Sequence, residues 1–189
     1  MNNTDAALFK DKKMGFLIYL GIEAIMFMVL FMTYTIFTPP TKDPFPADIF
    51  EIKTVVLASV FLLSSSVTLF LSDKYLKKER KTPFIIWLVL TFLLAAAFLG
   101  VEINEFASYV QQGYTTSSNV FMGAFYVLVG LHAAHVVFGI GWMIILFIHH
   151  IRKIPAPLFL SKQTIFSYYW HFVDLIWVLI IIIVYVPYL

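Results

Sequence analysis

The sequence predicts an all-α polytopic membrane protein with five transmembrane helices. Three observations carry this. Hydrophobic residues make up 61% of the chain and charged residues only 13%, about half the share a soluble domain needs to cover its surface, and the mean hydropathy is +0.88. The apolar runs are about 17 to 29 residues long, which suits helices crossing a bilayer rather than the ten-residue alternating segments of a barrel. Lysine and arginine also fall almost wholly on alternate sides of those runs. The chain has no cysteine, which excludes disulfides, iron–sulfur clusters, thiolate zinc and covalently attached c-type haem. No signal peptide is expected, because the first apolar run is too long for one and lacks a small-residue cleavage site behind it.

The elements follow in order. Residues 1–13 read as a polar tail and residues 14–189 as a single five-helix domain. The first span covers about 14–37 and stops before Pro39-Pro40, which cannot continue a helix. The second, about 55–71, carries Ser64, Ser65, Ser66 and Thr68, hydroxyls suited to bonding their own backbone or a neighbouring helix. A basic loop leads to Thr82, read as an N-cap with Pro83 at the first helical position. The third span, about 83–101, continues as helix through Glu102 and Glu105. A break rich in Gly, Thr and Ser (113–119) precedes the long fourth span, about 120–148. The loop 149–164 holds Pro155 and Pro157, and the fifth span, about 166–188, closes the chain.

Orientation follows from charge. The tail, the second loop and the fourth loop hold eleven Lys and Arg residues against two on the other side, so the positive-inside rule expects the N-terminus in the cytoplasm and the C-terminus outside. The basic stretch Lys74 to Lys81 reads as a topology signal and a contact for anionic lipid, not for nucleic acid.

The last helix organises the polar chemistry. His171 and Asp174 sit three residues apart inside an apolar run and share one face. Lipid offers such groups no partner, so other helices must supply them. At 1.5 Å per residue, Glu23 and Asp174 each lie roughly 13 Å in from the inner ends of their spans, and His135 roughly 20 Å, with His132 a little deeper. The expectation is one buried polar cluster of Glu23, His132, His135, His171 and Asp174 linking spans one, four and five. On span four, Gly123, Gly130, Ala134 and Gly141 form a narrow stripe, read as a surface where a neighbouring backbone packs closely. The acidic pair Glu102 and Glu105 reads as a solvated or interfacial face at the outer end of span three.

Each chemical reading has a plainer rival. His132, His135 and His171 have the residue type of b-haem axial ligands, but two histidines one turn apart on one helix would leave one spare, and satisfied structural histidines are preferred. Glu102-x-x-Glu105 is not the Glu-x-x-His pair of a di-iron site. Glu23 is the most informative residue: an intramembrane carboxylate reads as a proton or ion site, with a hydrogen-bonded structural glutamate as its rival. No phosphate loop, nucleophile constellation or zinc set is present, so no catalytic, cofactor-binding or metal residue is assigned. A small proton or ion transporter using Glu23 is the competing class, although internal repeats and broken helices, which such proteins tend to show, are missing.

Four stretches carry a resemblance. Tyr169-Trp170-His171-Phe172-Val173-Asp174 with Trp177, Gly130-Leu131-His132-Ala133-Ala134-His135-Val136, Leu20-Gly21-Ile22-Glu23-Ala24-Ile25-Met26-Phe27, and Gly100-Val101-Glu102-Ile103-Asn104-Glu105-Phe106 occur in the order found in subunit III of haem–copper terminal oxidases. Leu63-Ser64-Ser65 matches between them, and the similarity runs from about Met14 to Leu189. The resemblance implies a subunit of a proton-pumping respiratory oxidase, with cytochrome c or a quinol as donor, that reduces O2 to water in a bacterial cell membrane. It implies no haem or copper in this chain but haem and copper in partner subunits, bound phospholipid, and packing against subunits I and II and a small subunit IV. It places Glu23 at the family's intramembrane glutamate. Longer members have seven helices; the first two have no counterpart here, as in the five-helix form of many bacterial oxidases, and since they form one wall of the family's lipid cleft, the sequence leaves open whether another subunit supplies them. A subunit-III-like accessory protein of a nitric oxide reductase is the nearer alternative.

Overall fold

A computed structural model describes residues 3–38 and 50–188 of the chain. Pro39-Pro40 and most of the first loop lie outside these residues. Five helices are long and apolar enough to cross a membrane, and the described residues contain no strand. They are α1 (Asn3–Ile36), α2 (Ile52–Lys77), α3 (Lys81–Gln111), α4 (Val120–Ile151) and α5 (Ala156–Ile180). The chain continues from α5 through a π turn, Ile181–Tyr185, and a 3-10 turn, Val186–Tyr188.

The helices run beyond the apolar spans at several ends. Helix α1 includes most of the segment read as a polar tail, α2 continues to Lys77, and α5 begins at Ala156 rather than near 166. A run of apolar residues marks only the part of a helix that lipid surrounds, and backbone hydrogen bonding carries on past it. The N-cap reading at Thr82 is corrected: Arg80 is the N-cap and Pro83 the third helical residue, where its missing N–H still costs no intrahelical bond.

Helices α2, α3, α4 and α5 pack in a ring, each against the next and α5 back against α2, and α1 lies in the groove between α4 and α5. The ring is filled with large rings. Phe98, Phe125, Phe166, Trp170 and Trp177 are fully buried, and Phe98 meets Trp177 edge to face at 4.8 Å. Helix α1 is the most open, with Ile18, Ile22, Ile25, Val29, Met32 and Ile36 each more than half exposed along one face.

Three helix ends close in the same way. Arg80 N–H bonds Tyr75 O and Glu79 N–H bonds Leu76 O; Tyr114 and Gly113 do the same to Tyr109 and Val110, and Ile154 and Lys153 to His149 and His150. This is the Schellman pattern, which needs a left-handed residue at its turn. Only Gly113 (φ 85°) suits it; Glu79 (φ 56°) and Lys153 (φ 51°) adopt it with a side chain. Pro187 lacks an N–H and its ring crowds the carbonyl four residues back, and the wider π turn before it accommodates both.

Candidate functional site

Helices α2 and α5 run antiparallel and are joined by polar bonds along one seam from Ser59 to Asp73. Trp177 Nε1–H donates to Ser59 Oγ at 3.2 Å, and Trp170 Nε1–H to Ser65 Oγ at 2.9 Å. Next, Ser66 Oγ–H donates to Asp174 Oδ2 and meets His171 Nδ1 at 2.7 Å. The hydroxyl has one proton, so His171 Nδ1–H is the donor to Ser66. At the far end Gln163 Nε2–H reaches Asp73 Oδ1 at 2.9 Å and Ser167 Oγ–H reaches Asp73 Oδ2 at 2.5 Å. Ser59, Ser66 and Asp73 are seven apart, as are Gln163, Trp170 and Trp177, the repeat that keeps one seam of two helices in register. The serines were legible as interhelical donors. Asp73, Gln163 and Ser59 were not singled out; a lone carboxylate at the start of a basic loop was the available signal.

The single polar cluster expected from depth is corrected: its members divide into three groups. Glu23 Oε2 meets His135 Nε2 at 3.2 Å, joining α1 to α4, with both side chains mostly buried. His135 Nδ1–H donates to Leu131 O at 2.8 Å, so Nε2 is the nitrogen turned to Glu23. The contact therefore needs one proton, held either on Nε2 or on the carboxyl. Phe27 covers the imidazole at 5.1 Å, and Tyr169 O–H bonds the His135 carbonyl at 2.8 Å. His171 and Asp174 turn instead to Ser66, Asp174 buried and His171 half-exposed. His132 stands alone at the ring's centre, stacked on Trp177 at 5.2 Å and against the edge of Phe98 at 6.0 Å. Neither of its nitrogens has a protein partner. Depth fixes only the coordinate along the membrane normal; rotation about each helix axis decides which groups meet.

Glu23 holds His135 and Ser66 holds His171, but His132 has no polar protein partner, so the reading of satisfied structural histidines fits two of the three. Among the described residues, no three His, Asp or Glu side chains are gathered to hold a metal ion.

Two further readings are corrected. Glu102 and Glu105 are not a solvated face: both are buried, at 2% and 7% exposure. Tyr109 O–H donates to Glu105 Oε1, while both Glu102 oxygens and the fully buried Tyr185 hydroxyl have no protein partner. The glutamates point into the ring because α3 rotates its charged face toward Phe125 and Tyr185, a choice that the apolar sequence around them leaves open. The small-residue stripe is also not a site of close backbone packing within this chain. A Cβ at Gly141 would meet nothing within 4 Å, one at Gly130 only the Phe106 ring at 3.8 Å, one at Gly123 only the Thr116 carbonyl of its own loop at 3.2 Å, and Ala134 is exposed. The glycine that a neighbour requires is Gly139, against Trp170.

The family model for cytochrome c oxidase subunit III matches residues 2–188. The chain belongs to this family. It is 37% identical over 177 residues to cytochrome c oxidase subunit 3 of Bacillus sp. (strain PS3), covering 93% of this chain and 86% of that one. It is 36% identical over 168 residues to quinol oxidase subunit 3 of Bacillus subtilis (strain 168), covering 88% and 82%. To cytochrome bo(3) ubiquinol oxidase subunit 3 of Pseudomonas aeruginosa it is 36% identical over 172 residues, covering 90% and 82%. The chain is thus a subunit III of the haem–copper oxidase type, a membrane protein that works in a complex with other oxidase subunits. The motif residues of that family now have defined neighbours here: Glu23 with His135, Ser66 with His171 and Asp174, and His132 with Trp177.

Proposed function

We propose that the chain is the non-catalytic subunit III of a proton-pumping oxidase in a bacterial plasma membrane. Subunits I and II hold the haem and copper that reduce O2 to water, and a small subunit IV accompanies them. The chain stabilises subunit I, supports proton uptake and binds phospholipid. The observation that carries this reading is the Glu23–His135 contact, an intramembrane pair that shares one proton between α1 and α4. Relatives named for cytochrome c and for quinol are equally similar to the chain, which supports a role away from the donor site. The N-terminus is cytoplasmic: the two basic turns, 78–80 and 152–155, line one cavity at one end of the bundle, as the positive-inside rule expects of cytoplasmic loops.

The test is to purify the assembly in mild detergent with the native chain and with Glu23→Gln. The native chain brings down larger partners carrying haem absorption and is colourless once separated. Glu23→Gln leaves assembly intact but changes the number of turnovers before inactivation, or the protons moved per electron. If neither quantity moves, Glu23 is a packing residue and the proton role is refuted. Purification alone and colourless would favour a transporter.

A further inference from the structure

We propose that the ring, toward the end opposite the two basic turns, holds a file of bound water on Glu102, Glu105, Tyr185 and His132. These four side chains carry most of the buried polar atoms that lack a protein partner among the described residues: both oxygens of Glu102, Oε2 of Glu105, the Tyr185 hydroxyl and both nitrogens of His132. Helix α3 brings the two glutamates, α4 brings His132, and the π turn after α5 brings Tyr185. Their exposures are 2%, 7%, 1% and 0% in the order Glu102, Glu105, His132 and Tyr185. Two carboxylates one turn apart would be no more than an acidic pair. Tyr185 makes the difference, because it arrives from another helix, is fully buried, and is acted on electrostatically by both Glu105 and Glu102.

The π turn sets Tyr185 in place. Val186 N–H bonds Ile181 O, five residues back, and the Tyr185 ring lies 6.3 Å from both Trp177 and Phe125. Single π turns within helices often mark functional positions. His132 touches the same Trp177, stacked at 5.2 Å, and also Phe98 at 6.0 Å, one turn before Glu102 on α3. The polar atoms thus follow one path past shared rings. They also mix donors with acceptors: carboxylate oxygens accept, a phenol does both, and a neutral imidazole presents one N–H and one lone pair. Water meets all of these, and a buried water takes about 2–4 such partners. A metal cation would meet only the oxygens and leave the imidazole N–H unpaired. Among the described residues no Lys, Arg or His pairs with either glutamate, so no protein cation stands in for the water. Glu51, exposed at the N-cap of α2, acts electrostatically on Glu105, which puts the open end of the file there.

The test is radiolytic hydroxyl labelling of the whole purified assembly in mild detergent, with oxidised residues mapped by mass spectrometry. Radicals formed in bound water oxidise the rings beside it, however deeply those rings are buried. The last helix carries its own comparison. Trp177 and Tyr185 lie along the file, whereas Trp170 and Tyr169, just as buried, give their polar hydrogens to Ser65 and to the His135 carbonyl. Trp177 and Tyr185 are expected to be labelled, and Trp170 and Tyr169 to stay at background. Glu102→Leu removes both unpartnered oxygens and brings Trp177 and Tyr185 down to that background. Glu102→Gln, whose amide still bonds water, keeps the label. Misfolding cannot mimic the loss, because an opened ring raises the label at all four residues. Equal labelling of the two pairs overturns the proposal, and so does label at Trp177 and Tyr185 that is indifferent to Glu102→Leu. A metal ion found by elemental analysis of the native assembly and lost from the Glu102→Gln assembly would mean a cation site, and overturns it too.

Discussion

Helix α4 offers the same substitution twice, two residues apart, with opposite expected outcomes. A Cβ at Gly139 would stand 2.8 Å from Cε3 of Trp170, closer still to Cζ3, and 3.3 Å from Cε1 of Tyr169. Carbon atoms rest at about 3.5–4.0 Å, so the indole would have to shift by about an ångström or more. It has nowhere to go. Trp170 is fully buried and its Nε1–H is spent on Ser65, while Tyr169 is held by the His135 carbonyl. Overpacking of this kind costs about 1–3 kcal/mol, and displacing the Trp170–Ser65 bond adds about 1 kcal/mol. At Gly141 a Cβ meets nothing within 4 Å, and alanine in place of glycine gains up to about 1 kcal/mol in a helix. Both variants share that gain, so they should differ by about 2–4 kcal/mol. Thermal unfolding of the chain in mild detergent, followed by tryptophan fluorescence, reads the difference directly: Gly139→Ala melts well below the native chain and Gly141→Ala at or above it. Equal melting of the two, or loss of stability at Gly141 alone, would refute the assignment of the close contact to Gly139.

Other outcomes follow from the same geometry. Ser66→Ala removes the hydroxyl between His171 and buried Asp174 and should cost about 1–3 kcal/mol in the same assay; no change would mean the relay does not form. Asp174→Ala should destabilise more than His171→Ala, because His171 is half-exposed and Asp174 is not, and the reverse order would contradict that burial. Asp73→Ala strands the Gln163 amide and leaves the Ser167 hydroxyl only the Gln163 carbonyl of its own helix, and should loosen the α2–α5 end by about 1–3 kcal/mol, visible as faster amide exchange in residues 160–168. Glu79→Gly should stabilise by up to about 1 kcal/mol, because it removes the cost of a side chain at φ 56°; an unchanged or lower melting temperature would show that the Glu79 side chain earns its place in the turn.

The five helices were legible because the bilayer imposes a rule that composition records. A segment without charge for some twenty residues has one stable form in lipid, a helix with its backbone satisfied within itself. The serines of α2 were legible as interhelical donors for the same reason. Which helix face meets which neighbour was not, because these helices are apolar nearly all round and carry little periodic signal to fix their rotation. That rotation sent Glu23 to His135, His171 and Asp174 to Ser66, and Glu102 inward rather than to the surface. It also decided that Gly139, and not the Gly130–Gly141 stripe, takes the close contact. The sequence by itself determined that five helices are long and apolar enough to cross a membrane, and their order, since that depends only on composition along the chain. Tertiary structure alone decided the pairings and the shared cavity of the two basic turns, since those depend on side-chain packing around a ring of four helices.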